Sequence, residues 1–243
     1  MQLFFILRNG VCLNMKFIDL SHQFESGMPG FKIKNDNGTY TTHTVKIHPF
    51  LTHEQTKHRY QNKASFEITE ITFQTSIGTY LDSPFHRFPE KRDISQINLE
   101  EVILSGLIIP VHNKEPSEIV DLEDIPKDIL AKDFEGKAIL FNFNWSKYWG
   151  KEQYFDYPFI SEKLIRFLIQ KKVKLVGVDT INIDDQKNLS RPAHTMFLEK
   201  DILIVENLTN LESLIGKKFR FFAVPIKGKK VAAMPVRAFA EVL

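Results

Sequence analysis

The sequence is poor in cysteine, with Cys12 the single one among 243 residues. A lone cysteine cannot close a disulfide within the chain, and the sequence offers no Cys pair for a thiolate zinc centre. Any metal bound here must therefore be held by His, Asp and Glu side chains. The lack of a disulfide framework also favours a cytoplasmic location, where thiols stay reduced.

The sequence also lacks an excess of charge of either sign. Its 32 basic and 30 acidic residues give a net charge of +2. Such a balance gives no general attraction to nucleic acid or to an anionic membrane surface, and we expect neither as a partner. The 43% hydrophobic and 26% charged residues are typical of a globular protein.

Long apolar runs are missing as well. Residues 1–14 form a short apolar stretch that Arg8 and Asn9 interrupt, well below the about 20 apolar residues of a membrane span. The stretch has neither a basic leading region nor a small-residue cleavage site, so it does not resemble a signal peptide. We interpret residues 1–14 as an N-terminal extension or the product of a misassigned start codon, and residues 15–243 as one domain.

Hydrophobic patterning predicts strands that alternate with helices in the second half of the chain. The predicted strands are residues 17–20, 66–75 and 107–111 in the first half and 138–143, 173–179, 202–205, 219–226 and 236–242 in the second. Residues 66–73 alternate as in a half-buried strand, with a slip of one residue near Glu70 that suggests a bulge. Ser161 can cap a helix that runs to about Lys172 and carries one apolar face. This alternation indicates an α/β fold, a mixed sheet with covering helices in a single domain.

Residues 32–64 are polar and irregular, and they carry His43, His48, His53 and His58. Consecutive histidines are five residues apart, which does not match the i, i+4 pair of a helical metal site, and no carboxylate recurs at matching intervals. We therefore predict a mobile loop or flap over the pocket in preference to a metal site.

Residues 76–86, SIGTYLDSPFH, concentrate several residues suited to chemistry. Gly78 can adopt backbone angles that are closed to other residues, and Pro84 fixes its own φ. The preceding strand should therefore break into a rigid turn that directs Asp82 and His86 to one place. The alternative is an ordinary strand exit with a solvated Asp and His.

A second group of candidate ligands lies near the end of the sequence. His194 opens a short apolar segment that can form one or two helical turns, and Glu206 ends the apolar strand 202–205. A carboxylate at the end of a buried strand needs a partner, because an unpaired buried charge is costly. That partner is Arg191 or Arg237, a group of backbone amides, or a metal ion.

Residues 76–86 resemble the signature of the cyclase-like metal-dependent hydrolases, the family of bacterial kynurenine formamidase and isatin hydrolase. The family pattern reads H-x-G-T-H-x-D-x-P-x-H. The residues that match it are Gly78, Thr79, Asp82, Pro84 and His86. Ser76 and Tyr80 replace the two leading histidines.

The resemblance implies a fold and a set of roles. The family carries a His and a Glu at the spacing of His194 and Glu206, so the resemblance covers residues 15–243 and implies a swivelling β/β/α architecture. Asp82, His194 and Glu206 would then correspond to metal ligands. His86 would correspond to the histidine that shuttles protons beside the metal-bound water.

Ser76 and Tyr80 argue against a site with two metals. A neutral serine hydroxyl is a poor ligand, and tyrosine binds a metal well only as phenolate, with an unperturbed pKa of about 10. Asp82, His194 and Glu206 still offer three ligands and room for a water, the count of a catalytic zinc site. Two carboxylates and one imidazole suit one Zn²⁺, Mn²⁺ or Fe²⁺.

The predicted function is hydrolysis of a formamide or small cyclic amide through a metal-bound water, resembling an arylformamidase of tryptophan catabolism. The alternatives are a metal-independent acid–base enzyme and a non-catalytic relative that binds a small molecule. Trp145 and Trp149 lie in an aromatic loop and are candidates for substrate contact, while packing beneath the loop is the alternative. By resemblance, we expect a homodimer or a larger homo-oligomer.

Overall fold

The computed structural model describes residues 16–111 and 113–243, together with the backbone of residues 5–6 and 12–13. The predicted extension, residues 1–14, thus lies outside the described residues except for these two short strands. In chain order the strands are β1 (Phe5–Ile6), β2 (Cys12–Leu13), β3 (Lys16–Asp19), β4 (Lys32–Lys34), β5 (Tyr40–Thr42), β6 (Val45–Leu51), β7 (Ile68–Phe73), β8 (Tyr80–Asp82), β9 (Ile103–Pro110), β10 (Ile119–Val120), β11 (Ala138–Asn142), β12 (Phe159–Ile160), β13 (Leu175–Val178), β14 (Leu203–Glu206), β15 (Phe219–Phe222), β16 (Ala233–Pro235) and β17 (Phe239–Val242). The α-helices are α1 (His53–Lys57), α2 (Lys127–Leu130), α3 (Glu162–Gln170) and α4 (Pro192–Glu199). Within these ranges, no helix has the length and apolarity needed to cross a membrane.

Nine of the described strands form the central sheet, in the order β16-β8-β14-β13-β11-β9-β15-β17-β3. The centre is parallel, because β9, β11, β13 and β14 run side by side in one direction. Antiparallel pairs flank it, with β8 and β16 on one side and β15, β17 and β3 on the other. The predicted mixed sheet is confirmed.

Burial on both faces accounts for the apolar runs at the centre of the sheet. Every residue of β11 and β13 is buried, and a strand covered on both sides needs apolar side chains in both directions. Residues of α3 and α4 pack against one face. The short 3₁₀ turn Leu211–Leu214 and the flanking strands pack against the other. The predicted covering helices are therefore present.

Helix α3 begins where the sequence predicts. The Ser161 hydroxyl accepts a hydrogen bond from the Leu164 N–H at 3.0 Å, which satisfies one of the free amides of the first turn. Leu164, Ile165 and Leu168 are buried on one face. The helix ends at Gln170, close to the predicted end.

Residues 32–73 differ from the prediction. The stretch predicted as irregular contains the hairpin β4–β5, helix α1 and strand β6, which pairs with β7 outside the central sheet. Strand β7 was expected to be half-buried, yet Ile68 and Ile71 are 44% and 47% exposed. The prediction of burial is wrong, because alternation specifies a strand whereas burial requires a covering layer that a local pattern cannot specify.

Candidate active site

The signature residues lie on β8 and on the turns before and after it, at the edge of the parallel centre. Gly78 precedes this strand with a φ of +66°, and a Cβ there would lie 3.0 Å from the Met28 Cε. Glycine adopts this left-handed conformation without strain. Strand β8 ends at Asp82, and Pro84 opens a 3₁₀ turn that ends at His86. The predicted strand 66–75 ends at Phe73, but the residues that follow contain the further strand β8, which the sequence pattern did not predict and which carries Asp82.

Strand pairing places Tyr80 opposite Glu206. Strand β8 runs antiparallel to β14, with Tyr80 paired to Glu206 and Asp82 paired to Ile204. Tyr80 and Asp82 face the same way because alternate residues of a strand share a face. The Tyr80 hydroxyl donates a hydrogen bond to Glu206 Oε2, and the Ile183 N–H donates to Oε1 at 2.8 Å.

Neither arginine considered as a partner for Glu206 forms an ion pair with it. Arg237 pairs with Asp19 at 2.6 Å, and Arg191 donates to the Asn182 Oδ1 at 3.3 Å. The arginine alternative is therefore wrong. A tyrosine hydroxyl and a backbone amide contact the carboxylate instead.

His194 lies on the first turn of α4 and faces the carboxylates of β8 and β14. The Asp184 carboxylate accepts hydrogen bonds from the N–H groups of Ala193 and His194 at 2.6 and 3.0 Å and lies 2.7 Å from the His194 Nδ1. The opposite ring nitrogen, Nε2, lies 3.8 Å from Asp82 Oδ2 and 3.6 Å from Glu206 Oε1. The fold thus brings Asp82, His194 and Glu206 together.

Asp82 differs from the rest of this cluster because its carboxylate accepts no hydrogen bond from any described residue. The side chain is fully buried, and neither oxygen has a hydrogen-bond partner within the described part of the chain. The His86 Nδ1 lies 3.4 Å from Oδ1. One ligand atom from each of Asp82, His86 and His194 lies within 4.8 Å of the other two. A buried carboxylate without a donor is costly, so this donor set fits a bound cation.

Burial and mutual charge set the protonation of the cluster. Burial raises the pKa of the Asp82 and Glu206 carboxyl groups above their usual range, against the opposing influence of the His194 charge. Burial also disfavours charged His194, but the Asp184 hydrogen bond and the Glu206 and Asp82 charges outweigh it and raise the pKa of His194 to about 9. A metal at Nε2 must displace that proton, so metal affinity should fall as pH is lowered.

His86 has the opposite tendency. Burial, reinforced by the nearby His194 charge, lowers the pKa of His86 to about 4. Its imidazole is therefore neutral at neutral pH and able to accept a proton. The side chain remains 34% exposed, which leaves a route for that proton to leave the site.

A cavity of about 220 Å³ opens over the cluster. Ser76, Tyr80, His86 and His194 line it. The first three of these belong to the signature, and His194 is a candidate ligand. The other lining residues are Phe31, Ile33, His43, Arg87, Asn182 and Arg191. The segment predicted as a flap therefore contributes one wall of the cavity.

The histidines of residues 43–58 lie at separate places. His43 Nδ1 lies 3.1 Å from the Ser76 carbonyl oxygen beside the cavity. His53 Nδ1 lies 2.9 Å from the Ser65 hydroxyl. His48 Nε2 lies 3.8 Å from Glu70. Only His43 among them lines the cavity.

Trp145 and Trp149 do not line this cavity. Trp145 is 3% exposed and packs edge-on against Tyr148, with ring centroids 4.9 Å apart. Trp149 stacks on His22 with ring centroids 3.8 Å apart. Packing beneath the loop describes both residues better than contact with a ligand in the cavity.

Sequence patterns did not single out Asp184, Asn182 or Arg87. Asp184 precedes His194 by ten residues in a polar loop that leads to α4. An acidic residue that contacts the first turn of a helix is electrostatically favourable, and this is the signal that could have pointed to Asp184. Asn182 and Arg87 carry no comparable signal.

Replacing Asp184 with Asn is expected to weaken metal binding at this candidate site by about 10- to 100-fold, because the residue that orients the candidate ligand His194 loses its charge. We also expect the free energy of unfolding to fall by about 1–3 kcal/mol, since buried donors lose a charged acceptor. Metal titration and thermal unfolding measure the two effects. The control is Asp185→Asn, whose native carboxylate accepts from the Lys187 N–H. Equal metal affinity in both variants would contradict this role for Asp184.

The fold and the cluster define an α/β protein with a buried carboxylate–histidine site, suited to a divalent cation, beside a parallel sheet. The chain belongs to the family described as "Putative cyclase", whose sequence model matches residues 18–185. An uncharacterized protein of Methanocaldococcus jannaschii is 30% identical over 180 residues, which cover 72% of this chain and 83% of that protein. The predicted family is confirmed.

Two further proteins are similar to this chain over most of its length, one in sequence and one in fold. Kynurenine formamidase of Bacillus mycoides is 24% identical over 184 residues, or 73% of this chain and 81% of the relative. The structure of isatin hydrolase A from Ralstonia solanacearum has a TM-score of 0.78 at 19% identity, and the match covers 95% of this chain and 93% of that one. The structural likeness confirms the predicted α/β fold class.

Proposed function

We propose that this protein hydrolyses a formamide or a small cyclic amide with a water activated by one divalent metal ion. The observation that carries the proposal is Asp82, a fully buried carboxylate that has no hydrogen-bond donor among the described residues and lies within reach of two histidines. Membership of the family supports a hydrolase, and the relatives named kynurenine formamidase and isatin hydrolase support an amide-type substrate.

Asp82, His194 and Glu206 would hold the metal, for which Zn²⁺, Mn²⁺ and Fe²⁺ are suitable. Each Glu206 oxygen accepts one protein hydrogen bond and keeps a further lone pair for a ligand bond. When bound, such an ion lowers the pKa of a coordinated water towards about 7 and polarises the amide carbonyl.

The other residues of the site orient groups and move the proton. Asp184 holds the His194 ring in one orientation through Nδ1. The Tyr80 hydroxyl holds the Glu206 carboxylate. His86, neutral and facing the cavity, accepts a proton from the attacking water and delivers it to the leaving nitrogen, a contribution of about 10²–10⁴-fold. Phe31 provides an apolar wall for the substrate.

We also propose that the protein acts as a homodimer. Large apolar side chains are exposed along β5–β7, including Tyr40 at 63%, Phe50 at 61% and Ile71 at 47%. Ile71 is the strand partner of Ile47, which is 37% exposed, so this pair forms an exposed apolar patch on the β6–β7 hairpin. Exposed apolar patches are typical of interfaces, and light scattering of the purified protein tests the proposal. We further propose a cytoplasmic location, which the single cysteine supports. A role in tryptophan catabolism is also proposed, and the kynurenine formamidase relative supports it.

The proposed function is tested by elemental analysis of untagged, metal-supplemented protein before and after chelation, together with rates on formanilide and a cyclic amide. We expect about one equivalent of metal, and hydrolysis that chelation removes and metal restores. Hydrolysis that persists without metal would favour the metal-independent acid–base enzyme. Tight metal or ligand binding without hydrolysis of any amide would favour the non-catalytic alternative.

Tyr80→His is expected to leave the number of bound metal ions at about one. A single added imidazole supplies too few ligands for a second ion, because Ser76 still stands at the other position of the pair. Elemental analysis of the variant measures the stoichiometry. The double variant Ser76→His and Tyr80→His is the comparison and should bind a second equivalent. Two tightly bound ions in the single variant would contradict the proposed one-metal site.

A further inference from the structure

Two arginines line the cavity beside the proposed metal ligands. The Arg87 Nε donates to the Thr195 Oγ1 at 3.1 Å, and one terminal nitrogen donates to the Ser190 carbonyl oxygen at 3.1 Å. Arg191 lies across the cavity wall, where a terminal nitrogen donates to the Asn182 Oδ1 at 3.3 Å. Both guanidinium groups are thus held by neutral oxygen acceptors.

Neither guanidinium has an acidic partner in the described part of the chain. Within residues 16–111 and 113–243, no Asp or Glu oxygen lies within 4.0 Å of a nitrogen of Arg87 or Arg191, although four other arginines are paired. Those pairs are Arg92 with Glu101, Arg166 with Glu162, Arg220 with Glu241 and Arg237 with Asp19. The two arginines therefore keep positive charge without an acidic partner among the described residues, and unused N–H donors, in the wall of the cavity.

Arg191 is also held against an aromatic ring. Its guanidinium carbon lies 5.9 Å from the centre of the Phe31 ring, a distance at which a cation is attracted by the ring face. Phe31 and Asn182 therefore support the guanidinium from two directions. A planar, pre-oriented guanidinium is suited to two parallel hydrogen bonds with a carboxylate.

We propose that the cavity selects substrates that carry a carboxylate, with Arg191 and Arg87 as the residues that determine this specificity. The proposal rests on the proposed function, since it names the class of amide: an aryl formamide or small cyclic amide that bears a carboxylate near the scissile bond. The aryl group lies against Phe31 and Ile33, and the carboxylate accepts from Arg191 and from the free donors of Arg87. The reacting amide is left facing His86 and His194.

The test compares N-formylanthranilate with formanilide, which differ by the carboxylate. The wild type is expected to have a kcat/KM about 10- to 100-fold higher for the acid, the range for charge-assisted hydrogen bonds. Arg191→Gln and Arg87→Gln are each expected to reduce this ratio, and Arg191→Lys should recover only part of it. Arg166→Gln, which removes one positive charge from α3, is the control and should keep the wild-type ratio.

Binding of anthranilate and of aniline, measured by calorimetry with and without chelator, separates the two proposals. Anthranilate should bind the wild type and Arg166→Gln at least about tenfold more tightly than Arg191→Gln, and aniline should not discriminate. If no amide is hydrolysed but this Arg191-dependent binding is found, the proposed function fails and the carboxylate specificity stands. If both amides are hydrolysed at equal kcat/KM, or if anthranilate binding is the same in Arg191→Gln, Arg87→Gln and the wild type, the specificity proposal is overturned.

Discussion

Replacing Asp82 with Asn is expected to release the metal and to lower kcat/KM by on the order of 10³-fold or more. The amide keeps the shape of the carboxylate but removes the negative charge that binds the cation. Neither Asp82 oxygen has a hydrogen-bond partner in the described part of the chain, although the His86 Nδ1 lies 3.4 Å from Oδ1, so a cation is the partner that the native carboxylate fits. Elemental analysis and initial rates on formanilide measure the two losses.

The same variant is expected to be more stable than the wild type in the presence of a chelator. Burial raises the pKa of Asp82, so the folded metal-free protein favours the protonated carboxyl. The stability that this proton contributes is present below the usual Asp pKa of about 4 and is lost as pH rises from there towards neutrality. Asn has no charge to lose, so its advantage in Tm should grow over that interval.

Asp128→Asn is the matched control, because it removes an exposed carboxylate from the first turn of α2. It should change neither metal content nor the pH dependence of Tm. An Asp82→Asn protein that retains metal and activity would show that Asp82 is not a ligand. Equal Tm values for this variant and the chelated wild type at pH 8 would show that the buried charge has no measurable cost.

His86→Ala is expected to keep about one equivalent of metal and to lose about 10²–10⁴-fold in kcat. His86 is the partly exposed member of the cluster, and its lowered pKa leaves it neutral at neutral pH. These properties suit a residue that carries protons between the site and solvent. Rates measured between pH 5 and 9, together with metal content, distinguish loss of proton transfer from loss of the ion.

Glu206→Gln provides the contrast, since it removes a proposed ligand and should release the metal. His53→Ala is the control, because His53 contacts the Ser65 hydroxyl and does not line the cavity. The opposite pattern, metal lost in His86→Ala and retained in Glu206→Gln, would make His86 the third ligand. Asp82, His86 and His194 lie close enough together for that result to be informative.

The sequence determined those parts of the fold that local periodicity encodes. The buried runs of β11 and β13 are apolar, apart from Asn142 at the end of β11, because both faces of the sheet are covered. Ser161 and the apolar face that follows it specify α3. The same kind of pattern predicted the wrong burial for β7, because its alternation indicates a strand but carries no information on how exposed the β6–β7 hairpin is.

For the site, the sequence by itself determined the inventory: Asp82, His86, His194 and Glu206, with Ser76 and Tyr80 in place of two histidines. The tertiary structure decided which of these residues contact one another and which further residues contact them. Tyr80 and Glu206 are 126 positions apart and Arg87 and Thr195 are 108 apart, and each pair meets through long-range packing. Strand register, the turn into α4 and the packing of residues 31–43 over the cavity set those contacts. No local pattern encodes them, because the free energy that fixes each one comes from burial and pairing between distant segments of the chain.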